Sequence, residues 1–510
     1  MPDTAAPAKT ASKGPSPFLA QYLELKARHK DALLFFRMGD FYELFFEDAA
    51  DAAEILGITL TARGEYQGAP IPMAGVPFHA AEGYLARLIR AGRRVAVCEQ
   101  TESPADAKKR GSKSVVNREI VRVVTPGTLT EDSLLSEKSA QALIAVAFSK
   151  GGAESAVAAC DVSTGAFDLF ETAPEHLSER LSALPARELL FVDVDLDRPL
   201  VKAALEQISA PVTTRPASAA RPQSGEALLK QIYNVAALDA FGEFSRCELA
   251  ACALLLDYVQ LTQAGAEIRL DPPLRGAPSN GLAIDPATRA SLEIDTGSGG
   301  GRQGSLLATI DRTLTGPGAR LLASRLSRPS TDAPEIKSRY DAIGFFKDDG
   351  DQRDDLRGTL SGAPDLERAR SRLRLGRGGP RDLLAIAKAL NAGETAAARL
   401  AGAIGPPPAL IEMSARALTL TNAPDLAALA QDLKAAVDDE PPLLARDGGF
   451  IRAGWDAALD EARGLQRDSR KIIAELQARY GQITGVSTLK IKHNNVLGYF
   501  IEVPARAAEP

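Results

Sequence analysis

The stretch Phe35–Ala49 reads FFRMGDFYELFFEDA and is the most informative local feature of the chain. An apolar, strand-like run ends at Gly39-Asp40, a pair typical of a helix start, and aromatic residues follow it. The pattern predicts a helix over about residues 42–56. On residue type alone, Phe41 belongs to the core at helical spacing, and Glu43 is a first-turn acid favoured by the helix dipole.

Phe41 and Glu43 have a second interpretation. An apolar side chain at the protruding end of an element can enter a DNA duplex between base pairs and kink it. A mispair has already lost part of its stacking and pairing, so insertion costs less there. A carboxylate beside DNA repels phosphates, but it accepts a hydrogen bond from a base N–H that has lost its partner. The residues alone favour the core interpretation and leave this one open.

The sequence around this stretch predicts several domains, because 510 residues suffice for three or four. Apolar periodicity and turn clusters divide the chain into five parts. These are a disordered tail, a mixed α/β domain, a second α/β domain, a helical domain, and the end of a long helix with an incomplete hairpin: residues 1–16, 17–128, 129–247, 248–464 and 465–510. Inside the second domain, the low-complexity stretch 209–226 is predicted to be a surface loop or linker.

Composition excludes several classes of protein. The formal net charge is −6, which argues against a uniformly basic coat, so any nucleic-acid surface must be regional. The four cysteines form no C-x-x-C pair, which fits neither a zinc ribbon nor a disulfide framework. No stretch is apolar enough for a signal peptide or a membrane span. We expect a cytoplasmic protein that has no contact with membranes.

Basic residues are concentrated in two places. Residues 87–122 hold ten Lys or Arg against four acidic residues, and a hairpin-like run near residue 490 adds further donors. A solvated charged face or a guarded strand edge is the alternative explanation. The candidate contacts to the DNA backbone are Arg63, Lys108, Lys109, Arg110, Lys490, Lys492 and Asn494.

Residue patterns for catalysis are missing from the chain. No lysine follows a glycine, so there is no Walker A motif for ATP, and the four histidines are dispersed. The sequence therefore predicts no catalytic residue, cofactor site or metal site. One alternative is a metal-dependent nuclease, in which Asp161 would converge with three carboxylates that follow a later strand: Asp193, Asp195 and Asp197. Ordinary strand-end carboxylates explain the same residues.

Ordered motifs give the chain a resemblance to a known family. They are RMGDFYELFFEDA (37–49), PIPMAGVPFHAAEGYLARLI (70–89), VAVCEQ (95–100), IVRVVTPGT (120–128), DVSTGAFDLFE (161–171), IDPATRASLEI (284–294), GSLLATIDRTLTGPGARLLASRLSRPSTD (304–332) and LKIKHNNVLGYFIEV (489–503). With these motifs the chain resembles the MutS family over nearly all residues from about 17 to 505.

The resemblance implies a multidomain α/β plus all-α protein. Its parts would be a mixed α/β mismatch-recognition domain, a ribonuclease H-like α/β connector, a helical core and lever, and the start of a β-rich clamp. By motif position, Phe41 resembles the aromatic wedge stacked at a mispair, and Glu43 resembles the glutamate bonded to the mispaired base. The chain is therefore expected to bind mispaired or unpaired bases in double-stranded DNA, and the clamp hairpin to contact the DNA backbone.

Here the sequence departs from the family pattern, because members continue into a carboxyl-terminal ATPase domain whereas this chain stops at Pro510. We expect this chain alone neither to hydrolyse ATP nor to dimerise stably. For a full-length member the resemblance implies ATP and Mg²⁺, a homodimer, an ATP-dependent sliding clamp, a MutL-type partner, and a cytoplasmic location with nucleoid association on DNA. A MutS-like relative serving recombination is a further alternative, but it would be expected to lack the Phe-x-Glu element.

Overall fold

The computed structural model describes residues 15–111, 114–265, 269–275, 281–402, 407–494 and 498–504. Two compact units, Met1–Ala430 and Gln431–Pro510, are each described by themselves. The predicted disordered tail lies outside the described residues except for its last two, of which Ser16 caps the first helix. Within the described ranges, no helix is both long and apolar enough to cross a membrane.

The first part of the chain forms one mixed sheet with helices on both faces. In chain order its elements are α1 (Pro17–Arg28), β1 (Leu33–Met38), β2 (Phe41–Phe45), α2 (Phe46–Leu56), β3 (Thr61–Tyr66), β4 (Ala69–Pro77), α3 (Ala81–Arg90), β5 (Val95–Gln100), α4 (Pro104–Lys109) and β6 (Arg118–Val124). The strand order is β3-β4-β2-β1-β5-β6, in which β1 and β5 run parallel and every other pair is antiparallel.

The apolar run in β1 is explained by burial on both faces of this sheet. Leu33 and Phe35 pack with residues of α2 and α3, whereas Leu34 and Phe36 pack with residues of α1. Successive side chains of a strand point to opposite faces, so a strand covered on both sides has no polar alternation.

The helix predicted to begin near residue 42 begins at Phe46 instead. Residues 41–45 are strand β2, which pairs with β1 so that Met38 lies opposite Phe41. Gly39-Asp40 is the two-residue hairpin turn between them, and Gly39 has the positive φ of +59° that favours glycine. The prediction was wrong because a Gly-Asp pair suits a hairpin turn as well as a helix start.

The second part of the chain forms another six-stranded sheet. Its elements are β7 (Ala142–Phe148), β8 (Ser155–Asp161), β9 (Ala166–Thr172), α5 (Leu177–Ser182), β10 (Ala186–Val192), α6 (Pro199–Leu205), β11 (Val212–Arg215), α7 (Pro222–Tyr233), α8 (Arg246–Thr262) and the short β12 (Leu274–Arg275). The order is β11-β10-β7-β8-β9-β12, with β8 antiparallel to both neighbours and the other pairs parallel. This order agrees with the expected ribonuclease H-like connector.

The stretch 209–226 is not a loop or linker, contrary to the prediction. It contains β11, which pairs with β10, and the beginning of α7. Helix α7 approaches α8 so closely that a Cβ added at Gly225 would lie 2.0 Å from the Leu249 carbonyl oxygen. Small residues therefore serve close helix packing here. Helix α8 packs on β7 and β8 of the second sheet, although most of it lies after the boundary predicted at residue 247. The predicted domain boundaries stay predictions.

A helical region follows the second sheet, as predicted. It comprises α9 (Pro286–Ser291), α10 (Leu306–Ile310), α11 (Gly316–Ser327), α12 (Ala333–Asp348), α13 (Gly350–Leu360), α14 (Leu366–Arg374), α15 (Pro380–Ala401), α16 (Ala409–Leu418) and α17 (Pro424–Ala436). The second unit contains the long α18 (Ala457–Thr484) and an antiparallel hairpin of β13 (Lys490–Asn494) and β14 (Gly498–Glu502), which confirms the predicted long helix and hairpin.

Candidate nucleic-acid interface

Phe41 and Glu43 lie on one face of β2, because alternate residues of a strand share a face. The same face is covered by α1 further along the strand, where the Phe45 ring centroid lies 5.0 Å from that of Tyr22. At the beginning of β2 this cover ends, and Phe41 is 46% exposed. Strand β2 thus places the ring of Phe45 in the covered core and the ring of Phe41 at the open surface.

The neighbour of Phe41 on the opposite face belongs to the core. Tyr42 is 5% exposed, stacks on Phe35 with ring centroids 5.4 Å apart, and donates a hydrogen bond to Glu99. Burial, followed by the hydrogen bond and charge of Glu99, raises the pKa of Tyr42 above its ordinary value. The core interpretation therefore applies to Tyr42 and does not apply to Phe41.

Glu43 makes an ion pair with Arg63 of β3. Its two carboxylate oxygens lie 2.8 and 2.5 Å from Nη1 of Arg63. The Glu43 side chain is 14% exposed and that of Arg63 is 47% exposed, so the pair lies at the surface beside Phe41. Burial lowers the pKa of the nearby Arg118, and the charge of Glu43 offsets part of that shift.

The basic segment with Lys108, Lys109 and Arg110 leaves the sheet at the edge that carries the Gly39-Asp40 turn. Strand β5 runs parallel to β1, with Cys98 opposite Phe36, so the carboxyl end of β5 lies at that edge. Helix α4 follows this end and carries the candidate backbone contacts Lys108 and Lys109, and Arg110 comes directly after it. Lys109 pairs with Asp106 at 2.8 Å, Arg110 pairs with Glu102, and Lys108 is exposed.

The remaining candidate contacts lie on the hairpin of the second unit. Lys490, Lys492 and Asn494 alternate along β13 and so share one face of the hairpin. Lys492 forms a 2.5 Å ion pair with Glu502 of β14. Residues 495–497, at the tip, lie outside the described residues.

The carboxylates proposed for a nuclease do not converge. Strand β8 is antiparallel to β7, and β7 is parallel to β10, so Asp161 and Asp193 follow strands that end at opposite edges of the sheet. Asp161 accepts hydrogen bonds from the backbone N–H groups of Gln141 and Ser163, both at 2.9 Å. Among the described residues, no three His, Cys, Asp or Glu side chains form a group that could hold a metal ion. Strand direction therefore contradicts the nuclease alternative, and the interpretation as ordinary strand-end carboxylates applies.

Three family models match successive parts of the chain: MutS domain I at residues 16–133, MutS domain II at 141–271 and MutS domain III at 287–491. The chain belongs to the MutS family. It is 49% identical over 500 residues to the DNA mismatch repair protein MutS of a Caulobacter species, and 50% identical over 500 residues to that of Caulobacter vibrioides. The MutS protein of a Ruegeria species is 50% identical over 498 residues.

These alignments cover 97–98% of this chain and 55% of each relative. The chain therefore spans about half the length of the curated MutS relatives that it matches. The parts named domain I and domain II correspond to the first and second sheets, and domain III corresponds to the helical region together with α18 and the start of the hairpin.

A buried carboxylate that sequence reasoning missed joins MutS domains I and II. Glu188 of β10 is 1% exposed, and Nε of Arg94, the residue before β5, lies 4.0 Å from its Oε1. It accepts four hydrogen bonds, from Thr125 Oγ1 at 2.5 Å, Gly127 N at 3.1 Å, Thr213 Oγ1 at 2.6 Å and Tyr258 OH at 2.6 Å. A lone glutamate within the apolar strand ARELLFV was the available signal.

Arginines of MutS domain III hold the segment between the two sheets. Arg368, which is 2% exposed, donates hydrogen bonds to the carbonyl oxygens of Ser136 at 3.0 Å and Ser139 at 2.9 Å. Arg320 donates to the carbonyl oxygen of Glu137 at 3.1 Å, and Arg372 pairs with Asp132 at 3.0 Å. The connection that leaves the first sheet is thereby fixed to the helical region.

Proposed function

We propose that this chain binds mispaired or unpaired bases in duplex DNA, and that Phe41 is the side chain that enters the duplex at the mispair. The observation that carries the proposal is the 46% exposure of Phe41 at the uncovered beginning of β2. A large aromatic side chain in this position buries apolar surface only when something else covers it. The relatives' name, DNA mismatch repair protein, supports DNA as that partner.

In this proposal recognition depends on how easily the duplex deforms. Basic residues attract any DNA through its phosphates, and they do so independently of sequence. Insertion of Phe41 unstacks a base step, which costs less at a mispair than in matched DNA. Glu43 then accepts a hydrogen bond from the mispaired base. The candidate phosphate contacts of α4 and of β13 remain part of this proposal.

For a longer protein that contains these residues, we propose the other properties implied by the family. They are initiation of mismatch repair as a homodimer in the cytoplasm on nucleoid DNA, an ATP- and Mg²⁺-dependent sliding clamp, and a MutL-type partner. None of these steps is assigned to residues of this chain.

The test compares binding to matched and G·T-containing duplexes at one fixed salt concentration, because phosphate contacts alone change affinity strongly with salt. We expect the unchanged chain to prefer the G·T duplex, and Phe41→Ala to lose about 1–3 kcal/mol of that preference, as for base–aromatic stacking. Tyr340→Ala is the matched control, since Tyr340 is an exposed aromatic residue of α12 and should leave the preference unchanged. Equal binding of both duplexes by the unchanged chain would contradict the proposal.

A further inference from the structure

The carboxylate proposed to meet the mispaired base already has a partner. Both oxygens of Glu43 lie within hydrogen-bond distance of Nη1 of Arg63, at 2.8 and 2.5 Å. A carboxylate that accepts such charge-assisted hydrogen bonds is neutralised by its partner. Glu43 therefore meets DNA as half of an ion pair, and a base N–H competes with Arg63 for its carboxylate.

A β-bulge places Arg63 in reach of Glu43. The pairing of β3 with β4 shifts between Ala62 and Glu65, so that Arg63 and Gly64 stand opposite one residue of β4. Gly64 has a φ of +72°, which a glycine adopts without strain. The residues of β4 on either side of the shift, Pro70 and Pro72, have no backbone N–H for the ladder. Bulges of this kind re-aim a side chain at a functional site.

The exposure of the two side chains makes the exchange feasible. Arg63 is 47% exposed, so water screens the ion pair and solvates the guanidinium once it has left. Glu43 is only 14% exposed, so its carboxylate stays in place beside Phe41. Arg63 is therefore the half of the pair that water can take over, and Glu43 is the more buried half.

The Glu43–Arg63 ion pair would behave differently on matched and on mispaired DNA. In matched DNA every base N–H already has its partner, so no new hydrogen bond to Glu43 compensates the opening of the ion pair. As long as the pair stays closed, Arg63 neutralises the carboxylate that lies next to the phosphates. At a mispair, a base N–H without a partner replaces Arg63 as the donor to Glu43. The released guanidinium is then solvated by water, since the Arg63 side chain is 47% exposed.

We propose that Arg63 determines specificity through Glu43: the ion pair stays closed on matched DNA, opens at a mispair, and lowers the electrostatic cost of a carboxylate next to phosphate. This inference rests on the proposed function of Glu43. It assigns Arg63 a role different from the direct backbone contact predicted from its charge.

The test is a double-mutant cycle with Arg63→Ala, Glu43→Ala and both changes together, each measured on matched and G·T duplexes at fixed salt. Arg63→Ala leaves Glu43 uncompensated on matched DNA but not at the mispair. We expect it to weaken matched-duplex binding by roughly threefold to tenfold. The G·T duplex should lose less, so the preference for G·T should rise. In the Glu43→Ala background the loss of Arg63 should change neither affinity by more than about twofold.

A direct phosphate contact gives a different result. Arg63→Ala would then lower the affinity for both duplexes by the same factor, with or without Glu43. The salt dependence of that affinity would fall by about one phosphate contact. That result, or no effect of Arg63→Ala at all, would overturn the inference while leaving a G·T preference of the unchanged chain intact. If the unchanged chain has no G·T preference, the proposed function itself fails. Arg93→Ala is the matched control, because Arg93 is another half-exposed arginine of this domain, paired with Asp51 at 2.8 Å.

Discussion

Phe41 and Tyr42 are neighbours in β2 and lie on opposite faces of the first sheet, with 46% and 5% of their surface exposed. The covered side chain stacks on Phe35 and donates a hydrogen bond to Glu99. The exposed one lies beside Gly75 of β4, where a Cβ would come within 3.8 Å of the Phe41 ring. One residue of the pair therefore stabilises the sheet, and the other is free for a partner.

Removing each ring should separate these two roles. We expect Phe41→Ala to change the free energy of unfolding by less than about 1 kcal/mol, because an exposed ring loses little burial. Tyr42→Ala should cost about 3–5 kcal/mol, as for other buried aromatic residues. Urea unfolding of both variants, followed by circular dichroism, measures the difference. A large loss of stability in Phe41→Ala would show that the Phe41 ring is part of the core, and the proposed insertion of Phe41 into DNA would lose its basis.

Replacing Glu188 should loosen the junction of domains I and II. Glu188→Gln keeps the shape of the side chain but turns an acceptor toward four donors into a group that also donates. We expect a loss of about 1–3 kcal/mol in stability, because a buried donor is left without its acceptor. Thermal unfolding measures it, with Glu171→Gln as the control at an exposed glutamate of the same domain. Equal melting temperatures for the two variants would show that the hydrogen bonds to Glu188 do not stabilise the junction.

Asp311 should make stability depend on pH below about pH 4. Hydrogen bonds from Thr313 and then the charge of Lys138 lower the pKa of Asp311 from 3.8 to about 2. Arg302 also lies 2.5 Å from this carboxylate. Because the pKa is lower in the folded state, the ionised form stabilises the fold above pH 4, and this contribution is lost as the pH falls toward 2.

The matching variant is Asp311→Asn, which imitates the protonated side chain. At pH 7 it should melt below the unchanged chain, and the gap between the two melting temperatures should shrink as the pH is lowered from 4 to 2. Differential scanning calorimetry across this range measures the gap. A gap that stays constant with pH would mean that the charge of Asp311 contributes nothing.

Apolar runs and residue period made much of the fold predictable. The apolar strand β1, the apolar central strands of the second sheet and the β13–β14 hairpin all follow from period and burial. Strand β2 was predicted as a helix, because a run of five residues with three aromatics fits a helix as well as a strand. The two cannot be told apart without knowing that α1 covers only one end of this run. Local periodicity carries no information on which helix covers which strand.

The site was predictable only in part. The residue types of Phe41 and Glu43 allowed two interpretations, and the motif resemblance favoured one of them. The partner of Glu43 could not be found from the sequence, since Arg63 lies 20 residues away and reaches it through a bulge. The same holds for Glu188, whose hydrogen-bond donors range from 63 residues before it to 70 after it. Such contacts depend on strand register, which a pattern of residue types does not specify.

The two sheets differ in how much of the chain must be synthesised before each can fold, since the chain leaves the ribosome amino terminus first. All strands of the first sheet lie between Leu33 and Val124, so its hydrogen bonds can be completed before the next domain is made. Strands β7 and β8 instead pack on α8, which begins roughly a hundred residues after β7 ends. Their apolar faces have to wait for that helix during synthesis, so they are the surfaces of a nascent chain that most need protection from aggregation.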